Sequence, residues 1–133
     1  MNKSNIINSL LVSIKNGYSN KNKYAYCKIN KFCLDILWVL YKEGLISDFK
    51  IQSKISKVQI RLKYIKNKPL LTNINLISKP SLNHYSSFYN LKNFYNKYDY
   101  FFMSTSTGII SSSLLLKNNH IGGKVLFGLK INS

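Results

Sequence analysis

The stretch Met103-Ser104-Thr105-Ser106-Thr107-Gly108-Ile109-Ile110 sets four short hydroxyl side chains between the aromatic run Tyr100-Phe101-Phe102 and a glycine. Buried, each hydroxyl would need its own hydrogen-bond partner. On a loop, short hydroxyls beside a glycine let the backbone come close to a polar ligand and donate several hydrogen bonds at once. An ordinary polar turn is the plainer reading, and the surrounding elements must decide between the two.

Other chemistry is short of parts. The acids Asp35, Glu43, Asp48 and Asp99 are too few and too scattered for an acid/base pair. Cys27, Cys33, His84 and His120 are four potential zinc ligands, but the cysteine spacing spans a strand, a turn and a helix start, and each histidine stands alone. Core cysteines are the better reading. No Gly-x-Ser-x-Gly elbow and no Gly-x-x-x-x-Gly-Lys phosphate loop occur. The expectation is a binding protein, not an enzyme, with no cofactor, no metal and no small-molecule substrate.

Charge names the partner class. The 133 residues carry 20 Lys+Arg against 4 Asp+Glu, a net charge of +16, with 45% hydrophobic and 14% aromatic residues, enough for a core. Such an imbalance is relieved by a polyanion, nucleic acid first and an anionic membrane surface second. Fifteen basic and three acidic residues lie up to Lys79, against five and one after it, so the first part supplies most of the nonspecific attraction. Arg61 is the only arginine; abundant Lys, Asn, Ile and Tyr fit an AT-rich coding sequence, which does not account for the scarcity of acids. No apolar run approaches the ~20 residues that span a bilayer, so no membrane insertion is expected. Two cysteines imply no disulfide framework.

The elements that must position these residues follow from periodicity. Ser4 caps a first helix whose Ile7, Leu10, Leu11 and Ile14 share a face and which Gly17 ends. Tyr24–Ile29 reads as a strand. Lys31–Glu43 reads as a helix with Phe32, Ile36, Val39 and Leu40 inward, Gly44 as its stop, and apolar residues nearly all round. A hairpin follows: Phe49 and Ile51, then Val58, Ile60, Leu62 and Tyr64 alternating with Gln59, Arg61 and Lys63, which places Arg61 and Lys63 on the solvated face. Lys66-Asn67-Lys68-Pro69 is a basic turn, and Ile74 and Leu76 close the first half. Aromatics crowd Tyr85–Phe102, mostly as core filling, with Tyr85 the candidate for base stacking. Ser111 caps a short helix over Ser112–Asn118, Ile121-Gly122-Gly123 follows, and the last strand alternates Val125, Phe127 and Leu129 with Lys124, Gly128 and Lys130. No internal repeat is evident.

Five segments in order resemble ribosomal protein eight of the small subunit, the universal S-eight family. They are Ile14-Lys15-Asn16-Gly17; Lys42-Glu43-Gly44-Leu45-Ile46; Leu62-Lys63-Tyr64; Ile77-Ser78-Lys79-Pro80-Ser81-Leu82 with Tyr85; and Ser104–Gly108 followed by a short helix, Gly122-Gly123 and a closing strand. Departures include Thr107 where the family usually has a lysine, Asn5-Ile6 for its Asp-Pro, Ser81 for the junction glycine, and a Ser/Leu-rich terminal helix. They suit a protein held partly by its neighbours.

The resemblance implies an α/β (α+β) fold in two small domains. Residues 1–79 would place helices on a three-stranded sheet, and residues 80–133 would be mostly β with one short helix. It implies a structural constituent of the small ribosomal subunit that binds the central domain of its rRNA, contacts neighbouring ribosomal proteins, and supports platform assembly and translation. The RNA contacts it implies are Lys15, Asn16, Lys28, Lys31, Lys63 and Lys79 for positioning, with Tyr85, Ser104, Thr105, Ser106, Thr107, Gly108, Gly122 and Gly123 reading an irregular helix. AT-rich composition and a start without an Arg-rich or Ser-rich presequence point to the mitochondrial matrix, in the mitoribosome, with a plastid or an AT-rich bacterium as alternatives. The reading from another class is a basic peripheral protein that coats polyanions or anionic membranes nonspecifically, explained by charge alone.

Overall fold

The computed structural model describes residues 3–77, 85–86, 92–105, 108–115 and 123–132. The chain divides into two compact units, one up to Leu70 and one from Leu71 to Ile131. The division falls nine residues before the boundary expected at Lys79. The reason is strand pairing: Leu71–Leu76 is an edge strand of the second unit's sheet, not the close of the first half.

In the first unit, α1 (Lys3–Ser19) and α2 (Lys31–Lys42) pack with the antiparallel sheet β1 (Tyr24–Lys28), β2 (Asp48–Gln52) and β3 (Lys57–Arg61), in the order β1-β3-β2. Ile7, Leu10, Leu11 and Ile14 are buried, as the helical spacing requires. Two boundary readings change. Ser4 lies inside α1, and Gly17 does not stop it. Gly17 is instead a point of close approach, where a Cβ would stand 2.7 Å from Leu62 Cδ1. The chain turns at Lys21, whose φ is +56°.

Helix α2 starts on Asn30, whose Oδ1 accepts the Phe32 N–H at 2.8 Å. Gly44, at φ +75°, ends it. Leu45 N–H donates to Leu40 C=O at 2.9 Å and Gly44 N–H to Tyr41 C=O at 3.0 Å, a Schellman closure that only a left-handed residue completes without strain. The buried face is Cys33, Ile36, Leu37 and Leu40. Phe32 and Val39 are only half-buried and Trp38 is 50% exposed, so the helix is covered on one side and not on several. Its solvent side is finished by Lys42 Nζ lying 5.3 Å from the Trp38 ring centre.

A two-stranded ribbon, β4 (Tyr64–Ile65) and β5 (Lys68–Pro69), turns through Lys66 and Asn67, both at positive φ. The second unit pairs β6 (Leu71–Leu76), β10 (Gly123–Ile131), β8 (Tyr100–Thr105) and β9 (Gly108–Ser111) in that order, with β7 (Tyr85–Ser86) also on β10. The helices α3 (Lys92–Lys97) and α4 (Ser112–Leu115) pack on β8. Phe101, Met103, Val125, Ile110, Ile77 and Tyr98 form one core cluster. The clean alternation expected of the last strand fails, because Leu126 and Gly128 are buried as well. A bulge between Val125 and Phe127 inserts Leu126 into the β8 pairing and resets which residues face which side.

Candidate nucleic-acid interface

The hydroxyl stretch opens as strand and not as loop. Ser104 and Thr105 end β8, Gly108 opens β9, and the register pairs Thr105 with Gly108 and Ser104 with Ile109. Ladder pairing satisfies the backbone two residues beyond the apolar run, so the strand continues through Ser104 and Thr105. Ser106 and Thr107 themselves lie outside the described residues, as do Lys79 and Gly122. Thr105 donates its hydroxyl to the Gly108 carbonyl at 2.9 Å, bracing the hairpin mouth. Gly108 is exposed, with open space where a Cβ would stand, and its φ of +113° is the reason for glycine there.

The buried hydroxyls are the ones downstream. Ser111 is the last residue of β9 rather than a cap, with its Oγ 3.0 Å from Ser113 Oγ. Ser112 accepts the Phe101 N–H on its Oγ at 3.3 Å and the Tyr95 hydroxyl on its carbonyl at 3.0 Å. Each therefore has the partner that burial demands.

Strand register brings distant parts of the sequence into one line. Across the second sheet run Tyr85, Lys124, Ser104 and Ile109, each the direct partner of the next. Ser104 and Lys124 are both half-exposed and face away from the buried Met103–Val125 pair one position on. Lys124, absent from the residues selected by sequence, thus sits between the candidate platform and the hydroxyl edge. Gly123 is the close-approach residue of this row: a Cβ there would collide with the Ser104 carbonyl oxygen and stand 3.2 Å from its carbon. Its position is a strand residue paired with Ser86, and not a loop before the last strand.

Tyr95, Tyr98, Phe101 and Phe102 fill core, as expected of most of the aromatic segment. Tyr95 packs edge-on against Phe101 with ring centres 4.8 Å apart, and Tyr98 is buried under Gly128, where a Cβ would stand 2.6 Å from its ring. Phe102 stacks on Phe127 at 4.7 Å. Phe88 and Tyr89 lie outside the described residues.

In the first unit, Lys15 and Asn16 are exposed on the last turns of α1, Lys28 is exposed at the end of β1, and Lys31 is exposed at the start of α2. Lys63 departs from the solvated strand face assigned to it. The strand ends at Arg61, and Lys63 Nζ donates to the Gly44 carbonyl at 3.0 Å. On the outer face of the sheet the rows are Lys28–Lys57–Gln52, Tyr26–Gln59–Lys50 and Tyr24–Arg61–Asp48. Lys50 and Lys57 were not selected by sequence, since only strand pairing aligns them with Lys28.

Among the described residues no group of three or more His, Cys, Asp or Glu is placed to hold a metal. Cys27 and Cys33 are buried, reduced thiols that share a hydrogen bond. That bond, helped by burial, holds the proton on Cys27, and it draws Cys33 below the ordinary thiol range. Among the described residues no helix is long and apolar enough to cross a membrane.

The chain is 36% identical over 131 residues to the small ribosomal subunit protein uS8m of Acanthamoeba castellanii, covering 96% of this chain and 98% of that protein. It is 34% identical over 132 residues to uS8 of Ehrlichia chaffeensis, covering 97% and 99%, and 34% identical over 123 residues to uS8 of Malacoplasma penetrans, covering 90% and 93%. Ribosomal protein S8 is the family whose model matches residues 5–129, across both units, and the chain belongs to that family.

Proposed function

We propose that this chain is a structural constituent of the small ribosomal subunit, not an enzyme, and that it binds the central domain of small-subunit rRNA beside neighbouring ribosomal proteins. The observation that carries this reading is the row Tyr85–Lys124–Ser104–Ile109 beside the Thr105–Gly108 hairpin, in a chain of the S8 family. The likeness to a protein named uS8m supports a place in the mitoribosome of the mitochondrial matrix.

Two kinds of contact share the work. Lys15, Asn16, Lys28, Lys31 and Lys79 position RNA through its phosphates without reading sequence. Ser104, Thr105, Ser106 and Thr107, with Gly108 and the Gly122-Gly123 pair allowing close backbone approach and Tyr85 as platform, read the shape of an irregular helix and its displaced bases. Lys63, tied to Gly44, leaves the phosphate set for a structural role.

The test is binding to a central-domain rRNA fragment against an equal-length unrelated duplex, titrated across salt. A preference that persists as salt rises and disappears in Ser104→Ala/Ser106→Ala supports recognition by the hairpin. Equal affinity for both RNAs removes specific recognition by the isolated chain and leaves charge alone.

A further inference from the structure

The outer face of the first unit's sheet carries a second feature. Helices α1 and α2 pack against the sheet through Ala25, Cys27, Val58 and Ile60, which are buried. The opposite face holds four cations, Lys28, Lys50, Lys57 and Arg61, all exposed, against the single carboxylate Asp48. Its centre is amide and phenol: Gln52 Nε2 donates to Gln59 Oε1 at 3.0 Å, and Gln59 Nε2 donates to the Tyr26 hydroxyl at 3.1 Å.

We infer that this face is a second RNA-contact surface that tracks a run of phosphodiester backbone, with Lys50, Lys57 and Arg61 joining Lys28. The inference rests on the RNA-binding reading above and extends it to residues outside the hairpin. Charge complementarity selects the occupant. A protein partner would be met by an apolar centre with a polar rim; here the centre is a hydrogen-bonded amide ladder and the charge is distributed over all three rows. Nucleic-acid interfaces are more polar and far more positive than that. The dimensions also agree. Same-face residues along a strand are about 6.8 Å apart, so three rows span about 14 Å. One phosphate per about 3.4 Å of helix axis on each strand puts about four phosphates over that length. Tyr26, 41% exposed at the β1 edge, offers a ring beside that path.

The test uses the full chain with Lys50→Gln/Lys57→Gln, two exposed positions outside the residues assigned above to the hairpin and to positioning. On both the rRNA fragment and the unrelated duplex, the slope of log affinity against log salt is expected to fall in magnitude by about two, with the ratio between the RNAs unchanged. Lys50 and Lys57 in the wild-type chain are expected to be protected by RNA from an amine-acylating reagent, read by mass spectrometry. Unchanged slopes without protection overturn the proposal, as does an acidic protein bound by the wild type and lost by the variant. A wild-type chain with no preference between the RNAs would defeat the recognition reading alone, since the slope is measurable on either RNA.

Discussion

Lys63 places its ammonium 3.0 Å from the carbonyl oxygen of Gly44, the left-handed residue that closes α2. The cation sits where the helix leaves its partial negative charge, so the contact is both hydrogen bond and dipole complement. It also ties the segment after β3 to the end of α2. Lys63→Met is expected to lower stability by about 1–2 kcal/mol in urea denaturation, the range for a charge-assisted bond at a partly exposed site. The salt slope for RNA should stay within error. A slope reduced by about one with stability unchanged would return Lys63 to the phosphate contacts.

Gly123 and Gly108 are glycines for different reasons, and alanine separates them. At Gly123 the obstacle is the Ser104 backbone, which cannot swing aside as a side-chain end would. Gly123→Ala is expected to cost about 1–3 kcal/mol and to loosen the β8–β10 ladder, read as faster amide exchange at Val125 and Met103. At Gly108 nothing lies near a Cβ, and only the φ of +113° opposes a side chain. Gly108→Ala should cost about 1–2 kcal/mol and leave exchange in the β10 ladder unchanged. Identical exchange patterns in the two variants would contradict this division.

Much of this architecture can be read from local pattern. The α1 face, the extent of α2 from Lys31 to its stop at Gly44, and the β2–β3 hairpin follow from 3.6-residue and two-residue periodicity, with Gly44 as the turn residue that ends α2. What escapes is whatever depends on pairing. The Leu126 bulge has no local sequence mark, so the last strand reads as simple alternation. Ser104 and Thr105 look like loop because their extension into strand is secured by β9 and β10, which are distant or later in the chain. Lys50, Lys57 and Lys124 look like ordinary solvated lysines until register sets them beside Lys28 and Ser104. The early domain boundary has the same origin, since β6 joins the second unit by pairing with β10.

Positioning and recognition should separate in paired variants. Lys28→Ala/Lys31→Ala removes two exposed cations from the β1–α2 junction and is expected to lower the salt slope by about two, weakening both RNAs alike. Ser104→Ala/Ser106→Ala should reduce the preference for the rRNA fragment with little change in slope. The slope and the ratio, measured together by filter binding or anisotropy across salt, decide the matter. If both pairs change both quantities equally, the two roles are not separable.

Lys124 is the residue for which the two roles meet. It is the direct partner of Tyr85 on one side and of Ser104 on the other, and it is half-exposed. A cation in that position neutralises a phosphate only if RNA lies over the hydroxyl edge. Lys124→Ala is therefore expected to lower the slope by about one and, unlike Lys28→Ala, to reduce the preference for the rRNA fragment too. Lys124→Arg keeps the charge and should restore the slope while the preference recovers only in part, because a planar guanidinium does not reproduce the ammonium's reach. A Lys124→Ala protein with wild-type preference would move the RNA off this row and leave Ser104 with a purely structural part in the hairpin.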